Sequence, residues 1–168
     1  MKDAAQRLAW ALDVCRQAEV RPTPIREKIL VLLAASRIPA SLEAVMQAES
    51  IRGHCNPTTA YRTLMLLKEL EVIRQVGLPN KISYFVLNLP GENSHFLICW
   101  RCGQITELPG ADSVAVAERE VFTASGYAPL YHEVEFFGIC PTCQKQPRPM
   151  LSAKLQSRSC SAKPSLLR

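Results

Sequence analysis

Four of the seven cysteines in this 168-residue chain form two pairs of identical spacing, Cys99-Trp-Arg-Cys102 and Cys140-Pro-Thr-Cys143. Two thiolates in a CxxC turn can reach one ion, and four soft sulfur ligands suit tetrahedral zinc. Gly103 follows the first pair and Gly138 precedes the second, where glycine lets backbone amides turn toward the sulfurs. The pairs are 37 residues apart, against about 15–20 in a compact zinc ribbon. The chain between them must therefore be a folded insert whose ends return to one point. A closed Cys₄ site of this kind supplies folding energy to a small domain. A thioredoxin-like redox enzyme expects one such pair in a βαβ setting, and an iron–sulfur cluster expects tighter spacing. Of the other cysteines, Cys15 falls on an apolar helical stripe and Cys160 near the C-terminus. Cys55 precedes a helix start, where an exposed thiol could respond to redox.

The elements that position these groups follow from caps and periodicity. Residues 3–18 form a helix with Leu8, Leu12 and Cys15 on one stripe and Arg7 and Gln17 off it. Thr23 caps a second helix, Pro24 to Ala35, with proline at the first helical position. Ser41 caps a third, Leu42 to Glu49, with Leu42, Val45 and Met46 inward. Asn56 and Pro57 open a fourth, running to about Leu70. Its Ala60, Thr63, Leu64, Leu66, Leu67 and Leu70 share one arc. Thr58, Tyr61, Arg62, Met65, Lys68 and Glu69 share the other, a face whose composition suits contact. Two strands follow, Glu71–Val76 and Lys81–Leu87, about a Gly-Leu-Pro-Asn turn. Three short helices and a hairpin make a winged helix, whose last helix enters a major groove. Arg74 and Lys81 flank the hairpin tip, where a wing reaches phosphate.

Beyond Pro90-Gly91 the pattern changes to strands at His95–Trp100 and Gln104–Leu108, then a helix from Ala111 to Ser125 with Val114, Ala117, Val121 and Phe122 inward. A last strand, Tyr131–Gly138, alternates Val134 and Phe136 with Glu133 and Glu135. So small a sheet has open edges, which pairing with a second copy would bury. The fold class is α+β, with three parts: a winged-helix DNA-binding domain over 1–87, a small α/β dimerisation domain with its Cys₄ zinc site over 88–144, and a basic, disordered tail over 145–168.

Charge follows the same division. Residues 1–84 hold 12 Lys/Arg and 8 Asp/Glu, residues 85–144 hold 2 and 7, and residues 145–168 hold 6 and none. A basic first part suits a polyanion such as double-stranded DNA. Hydrophobic residues at 48% and charged residues at 21% describe an ordinary globular chain. No apolar run approaches the ~18 residues of a membrane span. Charges at Asp3, Arg7, Asp13, Arg16 and Glu19 interrupt the N-terminal segment, so it is no secretory signal, and a cytoplasmic protein is expected. No Ser/His/Asp, paired-carboxylate or glycine-rich phosphate constellation supports catalysis, so an enzyme is not expected.

Several spaced motifs together resemble the ferric uptake regulator family of bacterial dimeric repressors. They are Arg21-x-Thr23-x-x-Arg26, Thr59-Ala60-Tyr61-Arg62-x-Leu64, His95-Phe96-Leu97-Ile98-Cys99-x-x-Cys102-Gly103, Glu107, and His132 eight residues before Cys140. The resemblance implies a regulator, most often a repressor, that binds AT-rich palindromic operators as a homodimer. It implies DNA contacts from Arg21, Thr58, Thr59, Tyr61 and Arg62, with Tyr61 on thymine methyls and Arg62 on a phosphate. It also implies a sensing site for a second divalent metal (Zn²⁺, Fe²⁺ or Mn²⁺), for which His95, Glu107 and His132 are the available ligands. The chain departs from the family at the interdomain hinge. Arg37-Ile38-Pro39-Ala40 lacks the usual histidine, Val86 or Leu87 replaces an acid or thiol, and Phe96 stands for a ligand histidine. The acidic helix partner of His132 is replaced by Val114 or Ala115. The competing function is a zinc-stabilised protein-interaction module that has lost DNA recognition.

Overall fold

Side-chain caps define the helices. The computed structural model describes residues 3–77, 82–92, 94–108, 114–127 and 132–145. Lys81, Tyr131, Cys160 and the tail beyond 145 lie outside these. Asp3 accepts from the Gln6 amide and Gln6 answers to the Asp3 amide, a capping box that opens α1 (Ala4–Gln17). Thr23 caps α2 (Pro24–Ala35), Ser41 caps α3 (Leu42–Gln47), and Asn56 caps α4 (Pro57–Glu69). The hairpin strands are β2 (Ile73–Val76) and β3 (Tyr84–Leu87), antiparallel in register. A two-residue strand, β1 (Ala40–Ser41), pairs with the other side of β3, giving the order β1-β3-β2. At two residues it is too short to leave a period in the sequence.

The first core joins these elements. Ile29, Leu30, Val45, Ile51, Ala60, Leu64, Leu67, Val72, Ile73 and Phe85 are all essentially solvent-free. Two expectations need correction. Arg7, placed off the buried stripe of α1, is 5% exposed and shares the buried seam with Ala11 and Cys15. Its guanidinium donates to the carbonyls of Ala34 and Ser36, both at 2.9 Å, and so satisfies the C-terminal end of α2. Met65, placed on the outward arc of α4, packs against the core edge.

The second sheet contains β4 (His95–Cys99), β5 (Ile105–Leu108) and β6 (Glu135–Gly138) in the order β5-β4-β6. β4 and β5 form an antiparallel pair, whereas β6 lies parallel to β4. A parallel pair needs a crossover, and α5 (Val114–Ser125) supplies it. The second core is small: Phe96 and Ile98 of β4 meet Val76 and Val86 of the first sheet. Among the described residues, the expected inward face of the crossover helix is left largely uncovered. Val121 and Phe122 are about half exposed, as are Val116, Phe136 and Phe137, and Leu97 is 41% exposed. Phe136, expected to face inward, is 52% exposed, and no second layer covers that side among the described residues. No described helix is long and apolar enough to cross a membrane.

Candidate metal centre and nucleic-acid interface

Parallel pairing solves the problem of the 37-residue insert. Cys99 lies opposite Gly138 in register, so β4 and β6 end side by side and each delivers its CxxC to the same end of the sheet. After β4 the chain turns through Gly103, whose φ of +75° favours glycine and whose amide donates to the Cys99 carbonyl at 2.8 Å. After β6, Cys140 caps α6 (Pro141–Gln144), which carries Cys143. The four Sγ atoms all lie within 4.8 Å of one another, and those of Cys102 and Cys140 are 3.8 Å apart. Tetrahedral zinc with Zn–S near 2.3 Å requires sulfurs about 3.8 Å apart. Among the described residues this is the one group of three or more metal-ligating side chains within reach of a single ion.

The electrostatics of the cluster favour a cation. Burial pushes the Cys99 thiol up, but amides of Cys140, Cys102 and Arg101 outweigh it and bring the thiol down to about 6. Cys143 goes the opposite way, to about 12, through burial and its hydrogen bonds with the other three thiols. Four sulfurs this close cannot all carry charge without a positive ion between them. The site fits structural zinc.

Histidine and carboxylate candidates separate into two places. His95 and His132 meet, Nε2 to Nε2, at 3.4 Å. Glu107 does not join them. It pairs with Phe96 across the strands, and Leu108 pairs with His95. Cross-strand partners share a face, so a one-residue offset puts Glu107 on the face opposite His95. Glu107 is instead held by Ser94 Oγ at 3.3 Å and by Arg37 at 3.6 Å. The acid that does reach His132 is Glu118, with Oε2 2.5 Å from Nδ1. The sequence points instead to Val114 or Ala115 for this position. Glu118 lies one helical turn beyond Val114, on the same helix face, and that spacing was the available signal.

The outward face of α4 is open. Thr58, Thr59, Tyr61 and Arg62 are exposed, Tyr61 by 49%, while Ala60, Thr63, Leu64 and Leu67 on the other side are buried. The Asn56 side chain holds the Thr59 amide at 2.8 Å and fixes the first turn. Arg21 is exposed just before α2, and its carbonyl accepts from the Arg26 guanidinium. Arg74 is placed differently from the expectation of a free wing cation. It donates to the Ser94 carbonyl at 2.7 Å and lies over the Phe96 ring, 5.1 Å from its centroid. As a β2 residue it faces the second sheet.

Comparison with known proteins agrees with this architecture. Residues 17–137 match the ferric uptake regulator family. The ferric uptake regulation protein of Synechococcus elongatus is 31% identical over 132 residues, covering 74% of this chain and 86% of that protein. The peroxide operon regulator of Bacillus subtilis is 27% identical over 146 residues, covering 85% and 97%. Among solved structures, the Helicobacter pylori ferric uptake regulator superimposes with a TM-score of 0.66 at 18% identity, over 88% of this chain and 97% of that one. A zinc uptake regulator complexed with zinc and DNA gives 0.52 at 27% identity, over 86% and 97%. The chain belongs to the ferric uptake regulator family, whose members are DNA-binding metalloregulators.

Proposed function

We propose that this protein is a transcriptional repressor that binds an AT-rich palindromic operator as a homodimer. The observation that carries the reading is the two-sidedness of α4. One side is core, and the other offers Thr58, Thr59, Tyr61 and Arg62 on a helix that a capped, proline-started first turn holds rigid. Tyr61 would meet thymine methyls, which apolar contact reads, and Arg62 a phosphate, which fixes register. Arg21 adds a second phosphate contact. A similar chain, the zinc uptake regulator, was solved on DNA.

The uncovered apolar side chains of the second domain support the homodimer. Val121 and Phe122 on α5, and Leu97 and Phe136, which pair across β4 and β6 on one face of the sheet, are apolar side chains that a second copy would bury. Two copies related by a twofold axis would present two copies of α4, which matches a palindrome.

Zinc in the Cys₄ cluster holds the second domain together. The His95–His132 pair supports a separate, weaker divalent ion. A tetrahedral metal with M–N near 2.0–2.1 Å sets its two nitrogens about 3.3–3.4 Å apart, which is the separation found here. Glu118 on Nδ1 of His132 would orient the ring, as carboxylates do behind metal-bound histidines. All three residues belong to the second domain, so this ion would fasten α5 to the sheet.

The test is fluorescence anisotropy with a labelled fragment of the upstream DNA. Wild type should bind with a steep salt dependence, and Tyr61→Ala should weaken binding at least tenfold. Arg62→Ala should weaken it and lower the salt slope by about 1. Unchanged binding by Tyr61→Ala would sink the assignment of α4. Failure of wild type to bind any DNA at low salt would favour the interaction-module reading.

A further inference from the structure

The two domains meet through side chains of opposite charge. Arg37, in the loop between α2 and β1, reaches Glu92 Oε2 at 2.8 Å and Glu107 Oε1 at 3.6 Å. Glu92 belongs to the connection between the two sheets, and Glu107 to β5. These side chains are only 15–28% exposed, so solvent screens them less than a surface pair. The loop that carries Arg37 is itself fixed from behind, because Arg7 binds the Ser36 carbonyl. Arg7 also feels the charges of Glu92 and Glu107.

Two further contacts cross the same seam. Arg74 of β2 binds the Ser94 carbonyl, stacks on Phe96 of β4 and lies in the field of Glu133 and Glu135. Tyr84 of β3 presses its hydroxyl on Gly103, so closely that a Cβ there would come within 2.6 Å of it. Val76 and Val86 bury Phe96 and Ile98 between these points. The basic first part and acidic second part of the sequence thus meet where their charges cancel, and the acids at the seam already have their counter-charge in a guanidinium.

We propose that Arg37 is a positioning residue for DNA binding: its bridge to Glu92 and Glu107 holds the winged helix in its reading orientation, with no second metal ion needed at the seam. The inference rests on the DNA-binding reading for its affinity arm and on solution shape for the other. The protein used is the full chain with its Cys₄ zinc, in chelator that removes weaker ions. Operator affinity, its salt slope and small-angle scattering are measured for wild type, Arg37→Gln, Arg37→Glu and the charge-swapped pair Arg37→Glu with Glu92→Arg.

Arg37→Gln should lose about tenfold in affinity with an unchanged salt slope, because Arg37 touches no phosphate. Arg37→Glu should lose more and should broaden the scattering profile. The swapped pair should recover at least part of both. After the chelator is dialysed away, added Mn²⁺ or Zn²⁺ should leave the wild-type profile unchanged. Wild-type affinity and shape in Arg37→Glu would overturn the proposal. So would a wild-type profile that is extended until a divalent ion closes it. A folded swapped pair that recovers nothing would also overturn it. If no form binds DNA, the operator reading fails while the scattering still decides the role of Arg37.

Discussion

The winged-helix domain and the zinc-bearing domain solve the problem of stability in different ways. The first closes a core of its own: helices α1 to α4 and a three-stranded sheet bury a continuous set of aliphatic side chains and Phe85. The second buries Phe96 and Ile98 only by borrowing Val76 and Val86 from its neighbour, and leaves Val121, Phe122 and Phe136 about half exposed. A unit as small as residues 88–144 buries little apolar surface by itself and is marginal unless a metal, a cross-link or a partner adds to it. The second domain supplies two of these, a Cys₄ cluster and an apolar face. Burial therefore holds the reading head, and ligation holds its support.

Removing zinc should have the largest effect, and only on the second domain. Structural zinc binding is worth on the order of 10–16 kcal/mol. Cys143→Ser, or a strong chelator, should unfold the second domain while α1–α4 keep their circular dichroism up to a separate melting transition. A single transition at an unchanged temperature would show that the domain does not depend on zinc. Proton linkage sets the pH dependence of the folded, metal-free state that zinc captures. The Cys99 thiol is depressed to about 6 from an ordinary 9.0. Its contribution is present above pH 9 and is lost as pH falls through about 6. The Cys143 thiol is raised to about 12. Its contribution is present below pH 9 and is lost as pH rises through about 12. At pH 7 zinc must displace the Cys143 proton. Zinc uptake should therefore release protons, seen in a weakly buffered indicator, and affinity should fall below pH 6.

The next effect is confined to the other domain. Leu64 is fully buried on the inner face of α4. Leu64→Ala should cost about 2–5 kcal/mol through lost contacts and the cavity left behind. The lower melting temperature should appear without zinc loss, measured by a colorimetric chelator. Equal zinc loss in this variant would mean that the two domains melt as one unit. A smaller effect tests the second ion. Mn²⁺ or Zn²⁺ at about 100 times its Kd should stabilise the second domain by about 2.7 kcal/mol. His132→Ala should abolish this gain, and Glu107→Ala should leave it intact.

The two regions also differed in how legible they were. Caps and 3.6-residue periods marked all four helices of the first domain, because its helices are two-sided: Ala60, Leu64 and Leu67 inward, Thr58, Tyr61 and Arg62 outward. The metal cluster was legible from Cys-x-x-Cys spacing alone. What failed depended on contacts far apart in the chain. Arg7 looked solvent-facing because nothing local shows that the carbonyls of Ala34 and Ser36 await it. Val121 and Phe122 looked inward because periodicity marks an apolar face without saying whether this chain or a second copy covers it. Glu107 looked like a partner of His95 until strand register put them on opposite faces. Arg74 looked like a wing cation because its sequence position is near the turn, whereas its side chain turns to Phe96.

The smallest effect strengthens only the winged-helix domain. Glu71 sits just past α4 with φ of +56°, in the left-handed region that L residues avoid. Its amide still closes onto the Lys68 carbonyl and that of Val72 onto Leu67, so the helix end needs this conformation. Glycine adopts it without the Cβ penalty, offset in part by its greater freedom when unfolded. Glu71→Gly should therefore raise the stability of the winged-helix domain by about 0.5–1 kcal/mol. Its melting temperature should rise by a few degrees, and the zinc-dependent transition should stay where it was. If both transitions rise together, the seam at Arg37 and Arg74 couples the domains more tightly than separate cores would allow. Burial and ligation would then be two parts of one cooperative unit.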